Sequence, residues 1–265
     1  MDHRPATGST DWPIALVVTA VAAATMASLV NQPSPWSAWR LASCLPDACF
    51  CEATPDRLVR QPANAISSLL FLIPGLVILR RGRPTLVSAG LYGSALVVIG
   101  LGSAFYHSSL TFVGQTIDVL GMYLLATFAL LSAGSRRFGW SERLLAGLYL
   151  AGNAGLLGLL VFAPGLRRYA FAIVILLAIG LELRGRSPAG RQWFGGAIGC
   201  LALGFAIWIL DITRTVCRPM SWLQGHAIWH ACAAAGAALF FVFIERQSPP
   251  AGLTRAQPGV ATRVG

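Results

Sequence analysis

The stretch from Thr85 to Tyr106 reads TLVSAGLYGSALVVIGLGSAFY, contains no charged residue, and is followed directly by His107. A helix that crosses a bilayer needs roughly 20 mostly apolar residues. The whole chain has the same character, because 55% of its 265 residues are hydrophobic and only 11% are charged. A soluble domain carries about 25% charged residues. The composition excludes an ordinary soluble fold and predicts an all-α, polytopic membrane protein.

Reading outward from this stretch, we predict eight membrane spans separated by short segments rich in Arg, Gly, Pro and Ser. The predicted spans are Pro13–Val30, Asn64–Leu79, Thr85–Tyr106, Gln115–Ala133, Glu142–Phe162, Tyr169–Leu183, Gln192–Asp211 and Gly225–Ile244. The first can also be read as a signal peptide, since Ala22-Ala23-Ala24 offers a small-residue cleavage pattern. Gly152, Gly155 and Gly158 form a stripe that predicts close helix packing.

The basic residues predict the orientation of these spans. The net charge is +10 and all 20 basic residues are arginine, but they lie in short clusters between apolar blocks, which argues against nucleic-acid binding. Most of the arginines lie in every second connection between spans. Because connections rich in Arg face the cytoplasm, this distribution predicts that both termini are cytoplasmic. The loops at 31–63, 107–115 and 212–224 are then outside, and Arg167–Arg168 run against the bias.

The cysteines agree with this orientation. Four of the six fall in loops predicted to be outside, where disulfides persist: Cys44, Cys49, Cys51 and Cys217. A Cys-x-Cys pair such as Cys49 and Cys51 can also bind a metal, but no further Cys or His adjoins it, which favours disulfides. The other two lie within spans and are interpreted as packing residues.

Ionisable residues inside a membrane are costly, so each one is a candidate functional residue. His107 ends the third span, and His226 and His230 open the eighth with the i, i+4 spacing that places both rings on one helix face. Asp118 and Asp211 lie at the same predicted depth. Each of these residues taken alone is most simply an interfacial group; their convergence at one depth predicts a site.

Three imidazoles from two helices form a tetrahedral site with one open position, which is the arrangement of a catalytic zinc. Such a zinc acidifies its bound water and polarises a carbonyl. Asp118 would then take the water's proton, and the Ser103 hydroxyl would donate to the oxyanion. Haem ligation and a proton relay are the alternative uses of such a cluster.

At these positions the sequence resembles the alkaline ceramidases. The matching segments are Gly102–Leu110 with Gln115, Asp118 and Met122; Trp208–Asp211 with Cys217; His226–His230; and Cys51-Glu52 with Asn64. The order Ser-x3-His, Asp, His-x3-His is shared with a wider superfamily that includes adiponectin-type receptors, haemolysin III-like proteins and lipases that remodel lipid anchors. The resemblance covers about residues 44–245.

The resemblance implies a seven-helix core, residues 64–245, preceded by an extra N-terminal helix at 13–30 and the outer loop at 31–63. It implies zinc ligands at His107, His226 and His230, with catalytic roles for Asp118 and Ser103. It also implies a Cys51–Cys217 disulfide, which leaves Cys44 to pair with Cys49. Gln115 and Asp211 are assigned supporting positions. Residues 1–12 form a cytoplasmic segment and residues 246–265 a disordered tail.

The chain departs from the family pattern in two places. Alkaline ceramidases bind calcium through an acidic run of residues, of which this sequence keeps only Glu52. Thr54 and Gln61 lie near other expected ligand positions. The ligand set is therefore incomplete, and the sequence does not predict a full calcium site. Val119-Leu120-Gly121 follows Asp118 in place of Glu-Leu-Pro. This second departure leaves the lipid specificity open.

The function implied is hydrolysis of ceramide or a related N-acyl lipid to a fatty acid and a sphingoid base, by attack of zinc-bound water. The alternatives are hydrolysis of a phospholipid ester and a zinc-stapled, receptor-like protein without activity. All of the basic residues are arginine and none is lysine, which indicates a GC-rich bacterial genome. The expected location is the bacterial inner membrane, with the zinc site toward the periplasm.

Overall fold

The computed structural model describes residues 11–45, 49–81, 86–185, 188 and 190–247. Its helices are α1 (Asp11–Leu29), α2 (Pro62–Ser68), α3 (Leu72–Arg81), α4 (Leu86–Ser109), α5 (Phe112–Phe138), α6 (Glu142–Phe162), α7 (Arg167–Leu183), α8 (Arg191–Ile212) and α9 (Gly225–Gln247). The part of the chain so described contains no sheet, only two isolated β-bridges in the outer loop. Residues 1–10 and 248–265, which hold most of the predicted N-terminal segment and tail, lie outside the described residues.

The predicted all-α membrane fold is confirmed. Seven helical segments are long and apolar enough to cross a membrane, with α2 and α3 counted together as Pro62–Arg81. The remaining helix, α7, has 17 residues and matches the predicted span Tyr169–Leu183. The chain is therefore an integral, multi-pass membrane protein. Its observed helices extend a few residues past the predicted spans; α5, for example, continues to Phe138 and ends at Gly139 in the left-handed conformation.

The second predicted span is broken by one turn of 3-10 helix, Leu69–Phe71, between α2 and α3. The Ser67 hydroxyl donates to the Asn64 carbonyl at 3.0 Å, and Ser68 Oγ lies 2.8 Å from the same carbonyl oxygen. Hydroxyl groups that bond back to the preceding turn compete with the helical ladder and bend the helix. The sequence analysis did not predict this break, which directs both serines toward the interior.

Six helical elements form a ring, in the order α7, α5, α4, the α2–α3 pair, α9 and α8. The ring is open on one side, since α7 packs against α5 and α8 packs against α9 with little contact between α7 and α8. Helix α6 lies outside against α5, and α1 lies outside against α2 and α3. Arg80 of α3 pairs with Asp11 at the start of α1, at 2.9 Å. The outer face of α1 is apolar and exposed, as a lipid-facing helix requires.

Close helix packing occurs between α4 and α5, through glycines that the sequence analysis did not single out. A Cβ atom on Gly121 would lie 2.8 Å from Ile99 Cγ1 and 3.0 Å from its Cα, and one on Gly102 would lie 2.8 Å from Ile117. The prediction that the glycine stripe on α6 marks close helix packing is wrong. A Cβ atom on Gly152, Gly155 or Gly158 would meet nothing within 4 Å among the described residues, because this face of α6 points outward.

We predict that Gly121→Val lowers the melting temperature of the purified protein in detergent, because the α4 backbone at Ile99 cannot move aside without separating the two helices. Overpacking of this kind costs about 1–3 kcal/mol. Gly155→Val adds the same side chain at an open position and serves as the matched control. Equal melting temperatures for the two variants would contradict the proposed packing of α4 on α5.

Candidate metal centre

Three histidines from two helices meet in the interior of the ring. His107 is near the C-terminal end of α4, and His226 and His230 are in the first two turns of α9. All three are buried, and each offers a ligand atom within 4.8 Å of the others. The Nε2 atoms of His107 and His226 are 3.2 Å apart. The structure therefore brings together the three side chains that the sequence predicted, and within the described ranges this is the one such group of three or more metal-binding side chains.

The other ring nitrogens of two histidines are held by neighbours. His107 Nδ1 lies 2.8 Å from Gln61 Oε1, an acceptor, so Nδ1 carries the hydrogen and donates it. His230 Nδ1 lies 2.8 Å from Ser67 Oγ, whose own hydrogen is donated to Asn64 O. This network assigns the hydrogen of both rings to Nδ1 and leaves both Nε2 lone pairs free. Such neighbours are what orient histidine ligands in metal sites.

The donor set fits a metal ion such as zinc. Two nitrogens that bind one zinc at about 2.0–2.1 Å in tetrahedral geometry lie about 3.3 Å apart, close to the 3.2 Å between the Nε2 atoms of His107 and His226. The Nδ1 atom of His226 is buried and has no hydrogen-bond partner among the described residues. Unlike the other two rings, the ring of His226 therefore has no neighbour that fixes the hydrogen on Nδ1.

Asp118 and Ser103 adjoin the histidines. Ser103 lies one turn before His107 on α4, and its Oγ is 3.5 Å from His230 Nε2. Its Oγ also lies 2.9 Å from Ser68 Oγ, whose single hydrogen can be donated either to Ser103 or to the Asn64 carbonyl. Asp118 of α5 is within hydrogen-bonding reach of Ser103. Both side chains line the same cavity as His226 and His230.

The outer loop fixes the ends of the two histidine-bearing helices. The Gln61 N–H donates to the His107 carbonyl at 3.0 Å, which satisfies a carbonyl at the end of α4. Asp211, at the end of α8, accepts hydrogen bonds from the N–H groups of Cys51 at 3.1 Å and His226 at 3.2 Å. Asp211 is 1% exposed, so it is not the simple interfacial group that it would be if taken alone. Its carboxylate instead caps α9, at the positive end of the helix dipole.

Two disulfides join the same loop to the helices. Cys51 is bonded to Cys217 and Cys44 to Cys49, as the family resemblance implied. The Cys51–Cys217 bond links the outer loop to the α8–α9 connection across 166 residues of sequence. Cys200 and Cys232 are free, as expected for packing residues. The two bonds hold the outer loop against the metal centre.

Glu52 serves as a cap for α2. Its two carboxylate oxygens accept the N–H groups of Ala63 at 2.7 Å and Asn64 at 2.9 Å. Burial raises the pKa of Glu52 to about 7, although both backbone hydrogen bonds act to lower the pKa. Calcium prefers several ionised oxygen ligands. Both oxygens of Glu52 are already used, and we assign no calcium to this position.

Two further contacts support the site from the outer side. The Phe50 ring stacks on the His226 ring with a centroid distance of 3.9 Å. Gln115 Oε1 accepts hydrogen bonds from the backbone N–H and hydroxyl of Ser43, at 3.0 and 2.8 Å. Gln115 therefore anchors the outer loop to α5 and does not touch the histidines. The outer loop therefore covers the three-histidine group on its outer side.

The centre opens into a long apolar cavity of about 430 Å³. Ser103, Asp118, His226 and His230 line its outer end together with Arg167 and Arg168. Glu182 lines the opposite end, and the rest of the wall is mainly apolar. Helix α7 contributes a stripe that runs from Arg168 to Glu182, which at 1.5 Å per residue is about 21 Å long. The facing wall of α8 runs from Phe194 to Trp208. The cavity therefore extends from the metal centre down the seam between α7 and α8, where the ring of helices is open.

The fold and the site define a multi-pass helical membrane protein with a buried three-histidine group at the head of a long apolar cavity. The family model described as Ceramidase matches residues 50–248. The chain therefore belongs to the ceramidase family, and the predicted family is confirmed. The match includes every residue of the centre.

Sequence reasoning identified the histidines, Ser103 and Asp118, but it missed the residues that orient the rings. Gln61 was noted only as lying near an expected calcium-ligand position, and Ser67 and Ser68 were not singled out. Buried polar residues directly before or within an apolar span were the available signal, since such groups need partners. Their partner is visible only when the spans are packed.

We predict that Gln61→Leu weakens zinc affinity by about 10- to 100-fold, because it removes the acceptor that fixes the hydrogen of His107 on Nδ1. Competition with a chromogenic chelator on the purified protein measures the change. Gln192→Leu, at an exposed position at the start of α8, is the control. Unchanged zinc affinity in Gln61→Leu would contradict the assigned ligand atom of His107.

Proposed function

We propose that the protein is a zinc-dependent amidase that hydrolyses ceramide or a related long-chain N-acyl lipid within the membrane. The observation that supports this proposal best is the position of the three-histidine group at one end of a mainly apolar cavity, where His226 and His230 line the wall beside Ser103 and Asp118. Membership of the ceramidase family supports a lipid amide as the substrate. His107, His226 and His230 would hold the zinc.

A zinc ion held by three imidazoles supplies a Lewis acid that polarises a carbonyl and acidifies water. The Asp118 carboxylate is the base within reach, and it would accept the proton of the attacking water. It would then return that proton to the departing amine nitrogen, so that a fatty acid and a free amine leave. A carboxylate in a cavity with few other polar groups is suited to both steps.

Ser103 is placed to stabilise the negative charge that develops on the carbonyl oxygen. Ser68 Oγ lies 2.9 Å from Ser103 Oγ. When Ser68 turns its single hydrogen from the Asn64 carbonyl to Ser103, the hydrogen of Ser103 can be donated to the developing oxyanion. A hydrogen-bond donor aimed at this charge stabilises it. Ser68 Oγ also lies 3.4 Å from His230 Nδ1, so one serine adjoins both the donor and a ligand.

The cavity supports a substrate with a long acyl chain. With the scissile amide near Asp118, the chain would extend down α5 to Ala129, which is about 16 Å at 1.5 Å per residue. A C–C bond of about 1.52 Å advances an extended chain by about 1.25 Å, so roughly 13 methylenes fit. The opening between α7 and α8 offers a path from the surrounding lipid.

The alternatives differ in what fills this cavity. A phospholipid ester could react by the same chemistry, since the zinc and Asp118 act on any polarised carbonyl. A receptor-like protein would use zinc only to join α4 to α9. The presence of Asp118 and Ser103 in the cavity wall beside the histidines favours an enzyme over such a structural role.

We also propose that the centre faces the outer side of a bacterial inner membrane, with both termini cytoplasmic. The arginine distribution supports this orientation. The two disulfides support it as well, since they lie in the loops on the metal-centre side and disulfides persist outside the cytoplasm.

We predict that Asp118→Asn lowers kcat for ceramide at least about 100-fold while zinc remains bound, because the amide cannot accept the proton. His230→Ala should lose both zinc and activity. Fatty-acid release from ceramide and phospholipid panels, measured beside zinc content, distinguishes the cases. Hydrolysis of phospholipid alone would favour the ester alternative. No hydrolysis of any lipid by fully zinc-loaded wild-type protein would overturn the enzyme proposal.

We predict that Ala129→Leu shifts the preferred acyl chain to shorter lengths by about two carbons, because the larger side chain fills the inner end of the cavity. Loss of two buried methylenes at about 0.8 kcal/mol each reduces kcat/KM for the longest chains about tenfold. Ala151→Leu, on the exposed face of α6, is the control. A chain-length profile identical to that of the wild type would contradict this placement of the acyl chain.

A further inference from the structure

Two adjacent arginines, Arg167 and Arg168, begin α7 and line the cavity at the end where the histidines lie. Arg168 is close enough to His226 and Tyr106 for a direct electrostatic interaction with both. Arg167 likewise acts on Tyr106. The polar end of the cavity thus combines the metal centre with two positive charges, on the side of the protein where the arginine bias predicts few.

Neither arginine forms an ion pair with a carboxylate in the part of the chain that the structure describes. The ion pairs there are Arg60–Asp56, Arg80–Asp11 and Arg136–Glu182. Arg167 donates to the Pro164 carbonyl at 2.8 Å. The guanidinium of Arg168 lies over the Trp208 ring, 5.3 Å from its centroid, so its edge retains N–H donors for another group.

Helix stability does not account for this placement. Positive charges in the first turn of a helix oppose its dipole, and acidic residues are favoured there. Arg167 and Arg168 occupy the first two positions of α7, with no acidic residue in that turn. The contact with Trp208 also spans the seam between α7 and α8, where the two helices otherwise have little contact. Arg168 therefore stands at the outer end of the opening that leads from the lipid.

The cavity also fixes which part of a substrate meets these charges. An acyl chain needs the apolar length below Asp118, and the scissile amide needs the histidines. The amine part of the substrate is then left at the outer end, where Arg167, Arg168 and Trp208 form the rim. A guanidinium binds carboxylate and phosphate groups through paired hydrogen bonds.

We propose that Arg167 and Arg168 form an anion-binding subsite that recognises a carboxylate or phosphate on the amine part of an N-acyl lipid. The inference rests on the proposed amidase function and names a substrate class for the same site. The preferred substrate is then an anionic N-acyl lipid, and neutral ceramide is a poorer one.

Three probes with the same acyl chain test this subsite: N-palmitoylglycine, N-palmitoylethanolamine and the phosphate ester of the latter. Their dissociation constants are measured with the full-length, disulfide-bonded Asp118→Asn protein in neutral detergent, so that no probe is hydrolysed. We expect one or both anionic probes to bind about 10- to 100-fold more tightly than the neutral probe. The preference should weaken with added salt. The two anionic probes distinguish carboxylate from phosphate recognition.

Variants made in this background show whether the arginines are responsible. Arg168→Gln and the double variant with Arg167→Gln should remove most of the anionic preference, and Arg168→Lys should retain part of it. Arg218→Gln removes an exposed arginine of the α8–α9 connection and should leave the preference unchanged. Equal binding of all three probes to the parent protein would overturn the proposal, as would an anionic preference that survives the double variant.

Steady-state kinetics with the Asp118-containing protein separates this inference from the proposed function. If no amide is hydrolysed, the amidase proposal fails, while the binding preference is still measured. If amides are hydrolysed with the same KM for neutral and anionic probes, and Arg168→Gln changes neither value, the subsite alone fails. The expected result is a raised KM for anionic probes in Arg168→Gln with little change for the neutral amide.

Discussion

The close approach of the His107 and His226 ring nitrogens, at 3.2 Å, is the constraint on which the rest of the site depends. Both rings are buried, and the hydrogen of His107 is held on Nδ1 by Gln61. The Nε2 lone pair of His107 therefore needs a partner that the protein interior must supply. A hydrogen bond between His107 and His226 would satisfy this pair alone, whereas a metal ion would bind all three imidazoles together. The presence of His230 beside this pair is what favours the metal ion.

Much of the surrounding structure serves to hold this contact in place. Helices α4 and α9 carry the three histidines, and other residues hold the end of each helix in place. Gln61 caps the end of α4, and Asp211 caps the start of α9 while also binding the Cys51 backbone. The Cys51–Cys217 bond closes the same assembly covalently. A helix end displaced by one ångström would separate the nitrogens, so these outer contacts determine the geometry of the centre.

The sequence was sufficient for the helices and for the side chains of the candidate site, because both stand out against an apolar background. His107, Asp118, His226 and His230 are rare polar residues in such spans, and the i, i+4 spacing of the last two places them on one face. The residues that orient them were not predictable in the same way. Gln61 and Ser67 act through contacts between segments distant in sequence, and a single polar residue at a span end gives no indication of its partner. The two backbone groups that Asp211 binds were not predictable for the same reason.

The positions of close packing between helices were equally difficult to predict from the sequence. Glycines on α6 formed the more regular pattern, but the close approach occurs at Gly102 and Gly121, since α6 lies outside the ring. Spacing along one helix identifies a face, and only the arrangement of the helices decides whether that face meets protein or lipid. The cavity depends on the same arrangement. Its walls come from helices that each look uniformly apolar in sequence, and its opening exists because α7 and α8 barely touch.

The most direct test of the account is zinc X-ray absorption spectroscopy on the purified, zinc-supplemented protein. We predict about one zinc per chain, bound by three imidazole nitrogens at about 2.0–2.1 Å and one oxygen ligand from water. The His226→Ala protein should lose this signal. A zinc bound through sulfur, a closed site with four protein ligands, or a correctly folded protein that binds no zinc would contradict the proposed centre.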